Sequence, residues 1–138
     1  MDIHKQIMDY ILSQPDQKRS DMQDLHRIIW AINPACRLWF LDGKDESGKM
    51  VSNPNIGYGI CQIKYKDGHN KDFYQVGMSA NTKGISIYIF GIEDKTFLSQ
   101  TYGNRIGKAS ISGYCIKFKK QSDIHMDVLQ ELIRNILI

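Results

Sequence analysis

Apolar residues recur at helical spacing at both ends of the chain and at every second position in its middle, which predicts helices flanking a block of strands. Ile3, Ile7 and Ile11 repeat every four residues, and this first helix ends near Ser13-Gln14-Pro15. Met22, Leu25, Ile28, Ile29 and Ile32 make a second stripe. It stops at Asn33-Pro34, because the residue before proline disfavours helical geometry. Arg37 to Leu41 reads as a first strand. The next stretch, Asp42 to Asn55, is rich in turn formers and poor in large apolar side chains, so it reads as an exposed excursion.

Alternation then takes over. In one half-buried strand Cys61, Ile63 and Tyr65 fall on one side, with Tyr58, Gln62 and Lys64 on the other, and Lys66 to Asp72 closes a hairpin to Phe73–Met78. Ile85, Ile87 and Ile89 alternate with Ser86, Tyr88 and Phe90 in the clearest strand of the chain. Glu93 to Gly103 fits a short helix with acids in its first turn and Gly103 as a left-handed cap. Tyr114, Ile116 and Phe118 alternate with Cys115, Lys117 and Lys119 in a further strand. Ser122 caps a last helix, whose stripe is Ile124, Val128, Leu132 and Ile136, broadened by Leu129, Ile133 and Leu137. These elements predict an α+β fold: an antiparallel sheet of about five strands with N- and C-terminal helices packed on one face. The whole chain, 1–138, forms a single domain with its excursion at 42–55. Function then belongs on the uncovered sheet face or in the loops.

Composition narrows the class. With 42% hydrophobic and 24% charged residues the chain is an ordinary globular one. A net charge of +3 is too small to name a nucleic-acid partner by itself, so the distribution decides. From Lys95 to Lys120 there are six basic residues (Lys95, Arg105, Lys108, Lys117, Lys119 and Lys120) and no acid. Cys36, Cys61 and Cys115 are odd in number and widely spaced, which suggests neither a disulfide framework nor a zinc site. The N-terminal segment lacks the continuous apolar run of a signal peptide, and no stretch approaches the roughly 20 apolar residues of a membrane span. A cytoplasmic protein without a membrane partner is the expectation.

Chemical motifs are sparse. Gly103–Ser110 approaches the phosphate-binding pattern G-x-x-x-x-G-K-[ST], but the first glycine would have to stand at Tyr102. Ala109 follows Lys108 where a hydroxyl is needed, and a strand rather than a helix comes next. A weaker anion nest from Gly103, Gly107, Arg105 and Lys108 is the alternative, although a helix end and a glycine turn explain the same residues. His4, His26, His69 and His125 lie in different elements, so neither a metal site nor a cofactor is expected, and no local nucleophile, base and acid come together as a catalytic set. The best candidate surface is the outward sheet face. There Tyr58, Gln62, Lys64, Tyr88, Phe90, Lys117 and Lys119 mix aromatic rings with cations, the combination that binds single-stranded nucleic acid. Cross-strand aromatic and lysine pairs also stabilise exposed sheets without binding anything.

A wider set of residues carries a resemblance. Ile56-Gly57-Tyr58-Gly59 leads into a hairpin ending on Tyr65, followed by Val76-Gly77-Met78, Ile87-Tyr88-Ile89 and Gly107-Lys108. Cys115-Ile116, Phe118-Lys119, Ser122-Asp123, Asp127-Val128-Leu129 and Leu132-Ile133 come after them. In this order and spacing the chain resembles the YdhG-like family of small bacterial proteins, a domain family of unknown function. The resemblance implies a compact α+β fold and a cytoplasmic bacterial protein, with no established catalytic residues. Through one member it also implies a frataxin-like role in iron delivery. The chain departs from the family pattern at Cys61–Tyr65, where histidine is frequent, and at Ser112-Gly113-Tyr114, where a second Gly-Lys is usual. The leading expectation is a non-enzymatic domain that binds an unknown small molecule or protein partner. Nucleic-acid or other anion binding is the second reading, and iron handling the third.

Overall fold

The computed structural model describes residues 2–137. Helix α1 (Ile3–Leu12) buries Ile7 and Ile11, and α2 (Asp16–Ile32) buries Met22, Leu25 and Ile29, so both predicted stripes face inward. The Asp2 carboxylate accepts from the His4 backbone N–H at the first turn of α1, leaving fewer orphan donors there. Strands β1 (Leu38–Leu41), β2 (Asn55–Tyr58), β5 (Val76–Asn81), β6 (Gly84–Ile89), β7 (Ser110–Ser112) and β8 (Cys115–Phe118) make one six-stranded sheet in the order β1-β2-β5-β6-β8-β7. Every neighbouring pair in it is antiparallel. A separate ribbon joins β3 (Cys61–Lys64) to β4 (Asn70–Phe73).

Helix α4 (Met126–Ile136) buries Val128, Leu129, Leu132 and Ile133. These side chains join those of α1 and α2 and the inward residues Ile56, Val76, Met78, Ile85, Ile87 and Ile116 in one apolar core, leaving the opposite sheet face without a helical layer. Asp21 is buried within the helical side. It accepts from the Gln17 side chain at 2.9 Å and from the Gln121 backbone N–H at 3.0 Å, tying α2 to the turn before α4.

Three local expectations are corrected. Ile56 to Tyr65 is two strands rather than one, because Gly59 at φ +80° turns the chain and a Cβ there would lie 2.6 Å from the Leu137 side chain. Glu93 and Asp94 precede α3 (Phe97–Tyr102) instead of filling its first turn. The Asp94 carboxylate accepts from the Thr96 backbone N–H and hydroxyl, and Gly103 keeps an ordinary helical φ of −54°. Ser122 lies in a 3₁₀ turn, Gln121–Asp123, so α4 starts later than its apolar pattern suggests, with His125 at its N-cap. The excursion at 42–55 is mostly exposed and is organised by the Asp45 carboxylate, which accepts from the backbone N–H groups of Ser47 and Lys49.

Candidate functional site

Strand register builds the site. Ile85, Ile87 and Ile89 are wholly buried, so Ser86 and Tyr88 point to the open face of β6. Ser86 stands between Ser79 of β5 and Lys117 of β8, and Ser110 of β7 follows Lys117 in the same row. Tyr88 stands one row further along, between Gly77 and Cys115. The β5–β6 turn brings Lys83 to the near end, and Lys119 follows directly after β8. Together Lys83, Ser86, Tyr88, Ser110, Lys117 and Lys119 line a cleft of about 570 Å³, with Asn53, Asn81 and Thr82 also in its lining. That volume falls in the range of small-molecule sites, roughly 300–1,000 Å³.

The cleft is positive. Three of its lining residues are lysines and none is acidic. Among the described residues, carboxylates pair with Lys5, Arg19, Arg27 and Arg105, whereas none lies within salt-bridge distance of Lys83, Lys117 or Lys119. The polar floor is held in place: the Asn81 side-chain amide donates to Ser86 Oγ at 2.8 Å, and its oxygen accepts from the Lys83 backbone N–H at 2.8 Å. Lys18 from α2 donates to the Asn81 carbonyl at 2.6 Å, fixing the turn that carries Lys83.

Beyond Tyr88 the open face is aromatic. Tyr74 lies across Gly57 and Gly77, where an added Cβ would meet its ring at 2.6 and 2.4 Å. Phe73 stacks on Tyr74 with ring centres 4.2 Å apart, and Phe90 packs against Phe73, Tyr74 and Tyr114. Trp39 meets Phe73 edge-on, and the Arg37 guanidinium sits 3.7 Å above the Trp39 ring. The residues beside the β3–β4 ribbon therefore cover part of the face that the helices leave free. Burial pushes the Tyr74 phenol well above its ordinary pKa, with Tyr88 and Cys115 adding to the shift, so it stays protonated. Burial likewise raises the Cys36, Cys61 and Cys115 thiols, although Lys117 and Ser86 oppose the shift at Cys115.

Tyr88, Lys117 and Lys119 of the expected surface come together in the cleft, with Phe90 next to it in the aromatic patch. Tyr58 does not belong to that face. It is wholly buried on the helical side, its hydroxyl 2.7 Å from His26 Nδ1, because the break after it ends the alternation that grouped it with Gln62 and Lys64. Lys64 lies on the exposed edge of the ribbon, outside the main sheet. Arg105 is held by Glu131 through two bonds of 2.9 and 3.0 Å, so its charge is already partnered. The Lys108 backbone N–H donates to the Asp123 carbonyl, and Gly107 bridges Ile124; these ties close the glycine loop onto the chain before α4. Lys83, Asn53 and Ser110 were not expected, since their approach depends on register between strands distant in sequence. The sequence signal for Lys83 is the turn chemistry of Asn81–Gly84, which announces a hairpin but not what faces it.

A second depression, of about 520 Å³, lies between α1 and α2 and is lined mainly by Met8, Trp30, Ala31 and Pro34 with the His4 and His26 rings. Two of its polar groups are engaged: Trp30 Nε1 donates to the Pro34 carbonyl, and His26 is bonded to Tyr58. Among the described residues, no three histidine, cysteine, aspartate or glutamate side chains converge as metal ligands would, and no helix is long and apolar enough to cross a membrane. Comparison of the chain with family models, curated proteins and solved structures finds no match.

Proposed function

We propose that the chain is a ligand-binding domain that takes an anion into the lysine cleft of its open sheet face. The observation that carries this reading is the convergence of Lys83, Lys117 and Lys119, none with a carboxylate partner among the described residues, on a concave floor of fixed hydroxyl and amide groups. Three lysines lining one cleft that holds no acid give it a positive field that attracts an anion. Hydrogen bonds to a charged group contribute roughly 1.5–3 kcal/mol each, less where water competes. The resemblance to the YdhG-like family and a cytoplasmic place of action belong to the same proposal. An iron-delivery role has less support, since the candidate site is lined by cations rather than by the oxygen ligands that iron delivery would use.

Calorimetric titration with tripolyphosphate at low and at moderate salt tests the reading. Saturable binding that weakens with salt, and that is lost in Lys117→Glu and in Lys119→Glu while Lys64→Glu leaves it intact, is the expected outcome. Absence of binding at low salt, or equal weakening by all three substitutions, would reject the cleft as the site.

A further inference from the structure

The cleft has two chemically distinct ends, and their separation selects a ligand. At one end are Lys83, Lys117 and Lys119. At the other is Tyr88, two residues beyond Ser86 on the same face of β6, so its ring starts about 7 Å along the strand from the row of Ser86 and Lys117. Tyr88 and Phe90 hold their ring planes within 5° of parallel with centres 6.3 Å apart, which gives the Tyr88 ring a defined plane. Among the described residues, the Tyr88 hydroxyl, the Asn53 amide and the Ser110 hydroxyl donate no hydrogen bond within the protein, leaving these donors at the cleft for a ligand.

A flat ring joined to an anion across a short polar linker matches this layout. We infer that the ligand is a single nucleoside phosphate, its base stacked on Tyr88, its phosphates among Lys83, Lys117 and Lys119, and its sugar spanning the step from Tyr88 to the row of Ser86, Lys117 and Ser110. The inference rests on the anion-binding reading of the same cleft. A longer nucleic-acid strand fits less well. A strand platform repeats aromatic and cationic positions along a track, whereas within the cleft the lysines gather at one end, and the further cations of this face, Arg37 and Lys71, are already seated on Trp39 and Phe73. The next ring, Phe90, is enclosed by Phe73, Tyr74 and Tyr114.

The test is a calorimetric comparison, without added metal, of tripolyphosphate, adenosine triphosphate and a single-stranded adenylate hexamer, on the wild-type chain and on Tyr88→Leu. Adenosine triphosphate should bind at least about fivefold more tightly than tripolyphosphate, the lower end of what stacking one base on an aromatic ring contributes. Tyr88→Leu should remove that advantage, and a cooperative thermal unfolding transition of the variant reports that it is folded. The hexamer should bind no more tightly than the mononucleotide. Equal affinities for tripolyphosphate and adenosine triphosphate in the wild type would overturn base recognition while leaving anion binding standing, and this comparison needs no variant. A hexamer bound tenfold more tightly than the mononucleotide would make the face a strand platform and overturn the inference. If none of the three binds, the anion reading beneath it falls as well.

Discussion

His26 carries a pH dependence that follows from one buried hydrogen bond. Its Nδ1 lies 2.7 Å from the Tyr58 hydroxyl, and Tyr58 is wholly buried, so the neutral ring is the natural acceptor for the phenol proton. Burial, with a smaller contribution from nearby His4, holds the His26 pKa below its ordinary value of 6.5. The unfolded chain therefore takes up more protons than the folded one as pH falls. Stability from the neutral ring is fully present above the unfolded pKa and is lost as pH drops through 6.5 toward the lower folded value. Thermal unfolding at about pH 7.5 and about pH 5.5 should show a drop in Tm that is smaller in His26→Gln, whose side chain can still accept from the phenol without charging. An equal drop in both proteins would assign the effect to other groups. The same pair of residues marks a limit of one-dimensional reading. The expected strand from Tyr58 to Lys64 fails at Gly59-Ile60, and nothing local to Tyr58 announces a partner on α2, 32 residues away.

At the scale of elements, helix stripes and the β6 alternation were legible because a single buried face imposes its period directly on the sequence. Ile7, Ile11, Met22, Leu25 and Ile29 are buried as their spacing requires, and so are Ile85, Ile87 and Ile89. The ends of elements were less so. The start of α4 and the acids before α3 are set by turn hydrogen bonds, which the apolar period does not encode. Also hidden was the covering of the open face, because it depends on two glycines in neighbouring strands. Gly57 pairs with Gly77 across β2 and β5, and the missing side chains make the bed for the Tyr74 ring. Both glycines are extended, so their role is space rather than backbone freedom. Gly77→Ala should destabilise the fold by about 1–3 kcal/mol, the usual cost of overpacking. In a Tyr74→Ala background the same change should cost much less, as a double-mutant cycle by chemical denaturation would register. An undiminished cost in that background would mean that the ring does not occupy the space.

Over the whole molecule, charge is sorted by partnering more than by amount. A net charge of +3 gives only a weak overall field, and the basic run from Lys95 to Lys120 divides on folding: Arg105 is neutralised by Glu131, while Lys117 and Lys119 join Lys83 in a cleft without acids. The sequence showed the run and three of the cleft residues; antiparallel register supplied the rest, by setting Ser86 beside Lys117 and the β5–β6 turn beside Lys119. The proposed function depends on this convergence, so localisation tests it more directly than affinity. The decisive measurement is a two-dimensional amide NMR titration of the intact chain with tripolyphosphate at low salt. Saturable shifts centred on Lys83, Ser86, Ser110, Lys117 and Lys119, with Arg105, Lys108 and the 61–73 ribbon unmoved, are the predicted result. Shifts centred on Arg105 and Lys108, or spread evenly over the exposed lysines, would contradict an anion site in the sheet-face cleft.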